Sequence, residues 1–204
     1  MAVGTDLSVE KRVCGAYEEN AYIVSVEGRS DCVVIDPGDD VPALLQAVEG
    51  KTVGAILLTH GHFDHMLGAY ALREKTGAEI YIGEKDLPML EDEKLNLYDA
   101  KVSREPFRPV KDAKAYGETL EVCGMTFTVC ETPGHTPGGV CLYEKGRGVI
   151  FTGDTLFLGG YGRTDFPGGS FSQLRQSLRF LLFLPDETVF YAGHGQHGRI
   201  GENR

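Results

Sequence analysis

Short apolar stretches rich in β-branched residues alternate along the chain with longer amphipathic ones. Seven of the short stretches have strand length and lie between turn-forming residues, at positions 22–26, 32–35, 53–59, 79–82, 125–132, 149–152 and 188–192. Three stretches between them have the three-and-four spacing of a helix, at positions 41–48, 64–75 and 171–184. The mixture of the two patterns predicts an α/β fold.

The last of these helices has the clearest pattern. Ser170 precedes it and Gln173 follows three positions later, which is the spacing of a capping box. Its leucines repeat at three-and-four spacing, so we expect one face to pack on a sheet while Arg175 and Arg179 face water. Over residues 88–118 the pattern weakens and charges accumulate, which indicates a long surface excursion of the kind that often covers a site.

Composition narrows the classes of function. The chain has 204 residues, 42% of them apolar, and a net charge of −10, so we expect one domain and no nucleic-acid partner. Residues 1–12 lack an apolar stretch after a basic region, and no apolar window is long enough to span a bilayer. We therefore expect a cytoplasmic protein with no membrane partner. The cysteines are odd in number and lie mostly in apolar stretches, which predicts reduced, buried thiols: Cys14, Cys32, Cys123, Cys130 and Cys141.

One short segment carries most of the chemical information. Directly after the predicted strand 53–59 come His60, His62, Asp64 and His65, with Gly61 between the first two histidines. Side chains two positions apart cannot converge on one side of a helix, but a loop can direct His60 and His62 to one metal ion. Asp64 and His65 would then turn toward another. The spacing therefore predicts two metal ions at a strand-to-helix corner.

Three further polar residues follow predicted strand ends. His135 lies in the segment TPGHTPGG, Asp154 in FTGDT and His194 in AGHG. Functional groups collected at strand ends from distant parts of a chain are typical of an α/β catalytic centre. Asp36 is interpreted as a turn or supporting residue, and His197 is kept outside the ligand set.

These motifs resemble the metallo-β-lactamase superfamily and, within it, glyoxalase II and its short bacterial relatives. The order and spacing of HxHxDH, PGHTPG, GDTLF and the late GHG fit that family over nearly the whole chain. The resemblance implies a four-layer αββα sandwich formed by residues 1–204 as a single domain, without the C-terminal helical domain that binds glutathione in full-length glyoxalase II. It assigns one metal to His60, His62 and His135 and a second to Asp64, His65 and His194, with Asp154 bridging both.

The same resemblance implies a metallohydrolase that acts on a small molecule. Two divalent ions, with zinc preferred over iron or manganese, would share a hydroxide that Asp64 and Asp154 orient toward a carbonyl carbon. The expected substrate is a thioester such as a hydroxyacylglutathione or lactoylglutathione, or a related ester, with a lactone as a variant. The bridging Asp154 disfavours a true β-lactamase. The sequence leaves the oligomeric state open.

A glycine-rich segment at residues 159–169 leaves alternatives open. Arg163 and Asp165 within it either hold a substrate carboxylate or form an ion pair with each other. A related GRTD stretch occurs in persulfide dioxygenases, which would place His60, His135 and Asp154 on a single iron. A third alternative is a module in which the metal serves folding alone.

Overall fold

The computed structural model describes residues 7–204. The first residues of the N-terminal stretch considered above, residues 1–6, lie outside that range. The described strands are β1 (Leu7–Cys14), β2 (Glu19–Val26), β3 (Asp31–Ile35), β4 (Thr52–Leu57), β5 (Glu79–Ile82), β6 (Lys114–Ala115), β7 (Thr119–Val122), β8 (Met125–Glu131), β9 (Val140–Glu144), β10 (Val149–Gly153), β11 (Val189–Ala192) and β12 (Gly198–Arg199). The α-helices are α1 (Val41–Ala47), α2 (Phe63–Met66), α3 (Ala69–Thr76) and α4 (Phe171–Leu181), with 3₁₀ helices at Glu84–Leu90 and Ile200–Asn203.

The strands form two six-stranded mixed sheets. The first has the order β1-β2-β3-β4-β5-β6, antiparallel up to β3 and parallel from β3 onward. The second has the order β12-β11-β10-β9-β8-β7 and is antiparallel except for the parallel pair β10 and β11. Parallel pairs place the carboxyl ends of β3, β4 and β5, and of β10 and β11, at common sheet edges.

Three apolar clusters separate the layers. Leu44 of α1 and Leu72 of α3 pack with Val34 and Ile56 on the outer face of the first sheet. The sheets face each other across a second cluster, whose largest members are Tyr22, Ile35, Leu57, Phe127, Leu142 and Phe151. Leu181 of α4 packs on the outer face of the second sheet. These clusters confirm the four-layer αββα sandwich.

Strand β3 shows why the central strands appear as continuous apolar runs. Cys32 and Val34 belong to the cluster under the helices, whereas Val33 and Ile35 belong to the cluster between the sheets. All four are fully buried, because a central strand of a four-layer sandwich is covered on both faces.

Two predicted helices end differently from the pattern. The predicted helix 64–75 is divided into α2 and α3 at Gly68, whose N–H donates to the carbonyl oxygen of Pro37 at 2.8 Å. A Cβ at this position would lie 2.8 Å from the carbonyl oxygen of Gly38, so close backbone packing interrupts the helix there. Helix α4 ends at Leu181. Only half of its predicted capping box forms, because the Ser170 hydroxyl accepts from the N–H of Gln173 while the N–H of Ser170 donates to Gly134.

The predicted excursion at residues 88–118 has little regular structure but is anchored. Leu90 and Val110 are buried, and the buried Asn96 side chain donates to the carbonyl oxygen of Met89 at 2.9 Å. The carboxylate of Asp39 accepts from the backbone of residues 104 and 105. No helix within residues 7–204 is long and apolar enough to cross a bilayer.

Candidate metal centre

The segments that follow strands β4, β8, β10 and β11 bring the seven predicted ligands together, with Asp64 and His65 in the short helix α2. They lie in overlapping groups whose nitrogen and carboxylate atoms are within 4.8 Å of one another. The groups are His60, His62 and His135; Asp64, His65 and His194; and His60, His65 and Asp154. Residues that are far apart in the sequence therefore share one site, and their role as ligands stays a prediction.

The first group consists of three imidazoles. His62 Nδ1 lies 2.9 Å from His135 Nε2, a separation that atoms bound to one ion would also have. The Nδ1 of His135 lies 2.7 Å from the carbonyl oxygen of Arg163, which can only accept. This bond assigns the proton to Nδ1 and leaves the lone pair of His135 on Nε2, the nitrogen that faces His62.

The second group is held by outer hydrogen bonds of the same kind. His194 Nδ1 donates to the carbonyl oxygen of Tyr17 at 3.0 Å, so its Nε2 is free to face Asp64 Oδ2 at 3.4 Å. His65 Nδ1 lies 3.2 Å from Asp36 Oδ2. Supporting contacts of this type orient imidazole ligands and fix their tautomers.

Asp154 lies between the two groups. Its Oδ1 is 3.4 Å from His65 Nε2, and its Oδ2 is 3.5 Å from His135 Nε2 and 3.6 Å from His194 Nε2. One carboxylate thus faces both groups, as the bridging role predicted for it requires.

The chemistry of the donor atoms fits divalent cations. His60 Nε2, His65 Nε2 and Asp154 Oδ1 are buried and have no hydrogen-bond partner, which is unfavourable unless something else pairs with them. Burial and the neighbouring His135 lower the pKa of His62 to about 3, and burial with the other histidines holds the pKa of His60 well below its usual value. Both imidazoles are therefore neutral at pH 7, the form that binds metals.

Charges compensate each other in the second group. Burial alone would lower the pKa of His65, but Asp64 and Asp154 outweigh it and raise that pKa to about 10. Burial of Asp64 opposes ionisation, yet His65 and His194 hold its pKa below its usual range. The pKa of His194 is also raised, since Asp64 and Asp154 outweigh its burial. A cation entering this group would therefore displace protons.

Asp36 supports the cluster through hydrogen bonds to the residues around the candidate ligands. It adopts a positive φ of 47° and is buried. Its carboxylate accepts from the backbone N–H of Thr59 at 2.7 Å and from the Thr59 hydroxyl at 2.6 Å, in addition to facing His65. It holds the start of the histidine loop, in agreement with the supporting role predicted for it.

Sequence reasoning missed two buried carboxyl groups. Asp86, in the 3₁₀ helix Glu84–Leu90, accepts from the Thr136 hydroxyl and the N–H of Gly138, both at 2.6 Å, and from the N–H of Gly61 at 3.2 Å. Glu19 is fully buried beside His65, both of its oxygens lack a partner, and burial raises its pKa well above the usual value. Neither residue belongs to a motif, so no local signal identified them.

A cavity of about 720 Å³ opens onto the cluster. Candidate ligands His62, Asp64, His135, Asp154 and His194 line it, together with Tyr17, Phe63, Leu97, Asp99, Phe157, Gly162, Arg163 and Phe166. The predicted excursion therefore does reach the site through Leu97 and Asp99. A smaller cavity of about 280 Å³, against Lys85 and Tyr116, contains none of the candidate ligands.

Arg163 and Asp165 form an ion pair in the structure. The guanidinium Nε and Nη2 donate to the two Asp165 oxygens at 2.7 and 2.6 Å. Arg163 also lies over the ring of Phe166, 4.1 Å from its centroid. The two residues pair with each other, and a role in binding substrate stays a prediction. His197, which stacks on Tyr191, does not line the cavity.

Comparison with known proteins identifies the family. Residues 14–194 match the metallo-beta-lactamase superfamily. The chain belongs to this superfamily. It is 36% identical to the hydroxyacylglutathione hydrolase GloC of Haemophilus influenzae, over 93% of this chain and 91% of that protein. It is 35% identical to the probable metallo-hydrolase YqgX of Bacillus subtilis, over 89% of this chain and 87% of that protein.

Solved structures of superfamily members share the fold. The B3 metallo-β-lactamase BLEG-1 has a TM-score of 0.87 and 34% identity, covering 96% of this chain and 95% of its own. TTHA1623 in a di-iron-bound form has a TM-score of 0.83 and 36% identity, covering 95% and 96%. ETHE1 from Myxococcus xanthus has a TM-score of 0.76 and 30% identity, covering 96% and 80%. Membership of this superfamily supports a metal-dependent enzyme.

Proposed function

We propose that the protein hydrolyses thioesters with two divalent cations bound by the seven clustered side chains. The position of Asp154 carries the proposal, because its carboxylate lies 3.4 to 3.6 Å from nitrogens of both groups. A site for one ion would have no use for a second complete group of ligands. His60, His62 and His135 would hold one cation, and Asp64, His65 and His194 the other.

Two cations, when bound, polarise a carbonyl group and lower the pKa of water toward neutrality. Asp64 and Asp154 line the cavity, so they orient the attacking water and direct its lone pair toward the acyl carbon. The water oxygen then forms a bond with that carbon and the carbon–sulfur bond breaks. One proton of the water stays on the new carboxylic acid, and the other passes to the departing thiolate, which leaves as a thiol.

The thioester class is favoured over other acyl compounds on chemical grounds. A thiolate leaving group is a soft ligand that zinc accepts readily. The relative GloC is named a hydroxyacylglutathione hydrolase, which is a thioesterase. Neutral His60 and His62 also suit zinc, while the di-iron form of TTHA1623 leaves iron as an alternative.

The test is a substrate panel with protein of known metal content. Protein loaded with zinc, iron or manganese is given S-lactoylglutathione, an acyl N-acetylcysteamine thioester, a lactone and a β-lactam. We expect thioester hydrolysis that a chelator abolishes and added metal restores. Failure of fully loaded protein to hydrolyse any thioester would refute the proposal, and preferential turnover of the β-lactam would assign it the activity for which BLEG-1 is named.

Substitutions connect the activity to the cluster. We expect Asp64→Ala and Asp154→Asn each to lower kcat by about 100-fold or more, because both are candidate ligands that also line the cavity. His197→Ala is the control, since this exposed side chain contacts Tyr191 and not the cavity. Near-normal turnover and metal content in Asp154→Asn would contradict its bridging role.

A persulfide dioxygenase is the second candidate, favoured by the 30% identity to ETHE1. It would use His60, His135 and Asp154 on one iron, leaving His62, Asp64, His65 and His194 without a task although they are gathered in the same cluster. Oxygen consumption with glutathione persulfide, at one iron per chain, would favour this alternative over hydrolysis.

A further inference from the structure

The wall of the cavity is apolar where it meets the candidate ligands. The ring of Phe166 lies 5.5 Å from that of His62 and 6.4 Å from that of His135, and Phe157 lies 6.2 Å from His194. Tyr17 packs edge-on against Phe63 at 5.7 Å on the same wall. A group attached to the reacting carbonyl would therefore contact rings before it reached solvent.

Leu97 supplies an independent observation. It reaches the cavity from the excursion 88–118 and adopts a φ of 65°, a left-handed conformation that leucine rarely takes. Such strain persists where the surrounding structure enforces it, and it is concentrated at functional sites. Here it holds a branched apolar side chain that lines the cavity and also packs against the apolar cluster under the helices, although glycine or asparagine would satisfy the backbone with less strain.

The charges around the cavity do not suit an anionic substrate away from the metal ligands. Among the described residues, Arg163 is the only lysine or arginine that lines it, and its Nε and Nη2 donate to the two oxygens of Asp165. Arg163 lowers the pKa of Asp165 to about 2, so the partner is ionised throughout the neutral range. Asp99 also lines the wall, and one of its carboxylate oxygens accepts from the N–H of Lys101 at 2.9 Å.

We propose that the cavity selects thioesters whose acyl group is apolar, aromatic or branched, and that it does not recognise the carboxylates of a glutathione moiety. This inference rests on the proposed thioesterase function and names its substrate class. The acyl group would pack against Phe63, Leu97 and Phe157, and the Asp165 carboxylate would compete with a substrate carboxylate for Arg163.

Four thioesters separate the two halves of the inference. Lactoyl and phenylacetyl groups are each joined to glutathione and to N-acetylcysteamine, and kcat/KM is measured for all four with the metal-loaded protein. We expect phenylacetyl to exceed lactoyl by about 10-fold or more on either thiol, because the ring leaves water on binding. We expect glutathione to give no advantage over N-acetylcysteamine. If lactoylglutathione is the best of the four substrates, this inference is wrong but the proposed thioesterase function stands. If none of the four thioesters is hydrolysed, both the inference and the proposed function are wrong.

Leu97→Gly separates selectivity from folding. Leu97→Gly loses packing against the apolar cluster under the helices, but glycine adopts the left-handed conformation without strain, so we expect the melting temperature to fall by no more than about 8 °C and the metal content to stay intact. The preference for phenylacetyl over lactoyl should fall by about 3-fold or more as the apolar contact is lost. An unchanged preference in a folded Leu97→Gly protein would remove Leu97 from the binding wall.

Asp165→Asn tests the role of the ion pair. The substitution frees Arg163, and we expect kcat/KM for glutathione thioesters to rise by about 3-fold or more relative to N-acetylcysteamine thioesters. Asp31→Asn is a matched control, because Arg29 and Asp31 form the same two-bond pair, at 2.7 and 2.8 Å, where β3 begins. An equal change in both variants, or none in Asp165→Asn, would contradict the proposed role of Asp165.

Discussion

At the scale of single residues, two buried carboxyl groups lie beside the candidate ligands: Asp86 bonds to the backbone N–H of Gly61, and Glu19 lies 3.8 Å from His65 Nδ1. His60, His62 and His65 stand out because their spacing is unusual for a structural segment. Asp86 and Glu19 are as buried as these histidines, yet each is a single carboxylate in an ordinary local context. Their environments come from residues far along the chain, so only the folded structure reveals them.

Asp86 connects the two loops that carry the first group of candidate ligands. Asp86→Ala would leave the Thr136 hydroxyl and the N–H groups of Gly61 and Gly138 unpaired, so we expect the free energy of unfolding to fall by about 3 kcal/mol. Urea unfolding of metal-free protein measures this loss directly, and metal affinity should fall as well. Asp92→Ala is the control, because the exposed carboxylate of Asp92 accepts one hydrogen bond from the described residues, from the N–H of Lys94 at 2.8 Å. Equal, small losses in both variants would show that Asp86 does not hold the loops.

At the scale of elements, periodicity predicted seven of the eight central strands in residues 7–204 and missed the four edge strands, β1, β6, β7 and β12. Strand β1 is an edge strand whose middle, EKR, is charged and partly exposed, as edges that resist aggregation often are. Strand β9 is different, since it is central and completely buried. Its run VCLY, bounded by Gly139, was a readable signal of a buried strand.

The hairpin between β7 and β8 contains a turn residue that does not suit its conformation. Cys123 and Gly124 both have positive φ, 50° and 71°, as in a type I′ turn, which favours Asn-Gly. We expect Cys123→Asn to raise the free energy of unfolding by about 0.5 to 1 kcal/mol. Cys123→Ala loses the same contact from Sγ to the Cys32 carbonyl oxygen without relieving the backbone, so it should not stabilise. Urea unfolding of the parent protein and the two variants measures these differences. A Cys123→Asn protein that is no more stable than Cys123→Ala would argue against strain in this turn.

At the scale of the whole molecule, the layering could not be predicted from periodicity. The pattern shows strands and helices but not how many sheets they form, and the four layers followed only from the family resemblance. The candidate cluster draws on both sheets. Four of its residues follow β4 of the first sheet and three follow strands of the second sheet: His60, His62, Asp64 and His65, and His135, Asp154 and His194. Asn20 of β2, in the first sheet, connects the two sheets beside the cluster. Its side-chain amide donates to the carbonyl oxygen of Ala192, and its backbone N–H donates to that of Gly193.

Metal removal should therefore weaken the contact between the two sheets, and the stability of the metal-free protein should depend on pH. In the metal-free protein, the lowered pKa values of His60 and His62 favour folding above about 6.5, and that contribution is lost as pH falls through the lowered values, which for His62 means about 3. The raised pKa of His65 acts in the opposite direction, because its contribution is present below 6.5 and is lost as pH rises toward 10. The stability of the metal-free protein should consequently be greatest near pH 6.5.

The metal-loaded protein should behave differently on the alkaline side. Cations compete with protons at His65 and His194, so metal binding strengthens as pH rises and offsets the loss of their protonated contacts. We expect the difference in melting temperature between loaded and chelated protein to increase from pH 6.5 to pH 9. Calorimetry across this range measures the difference. If the difference in melting temperature instead decreases with rising pH, metal binding does not displace protons, and His65 and His194 are not ligands.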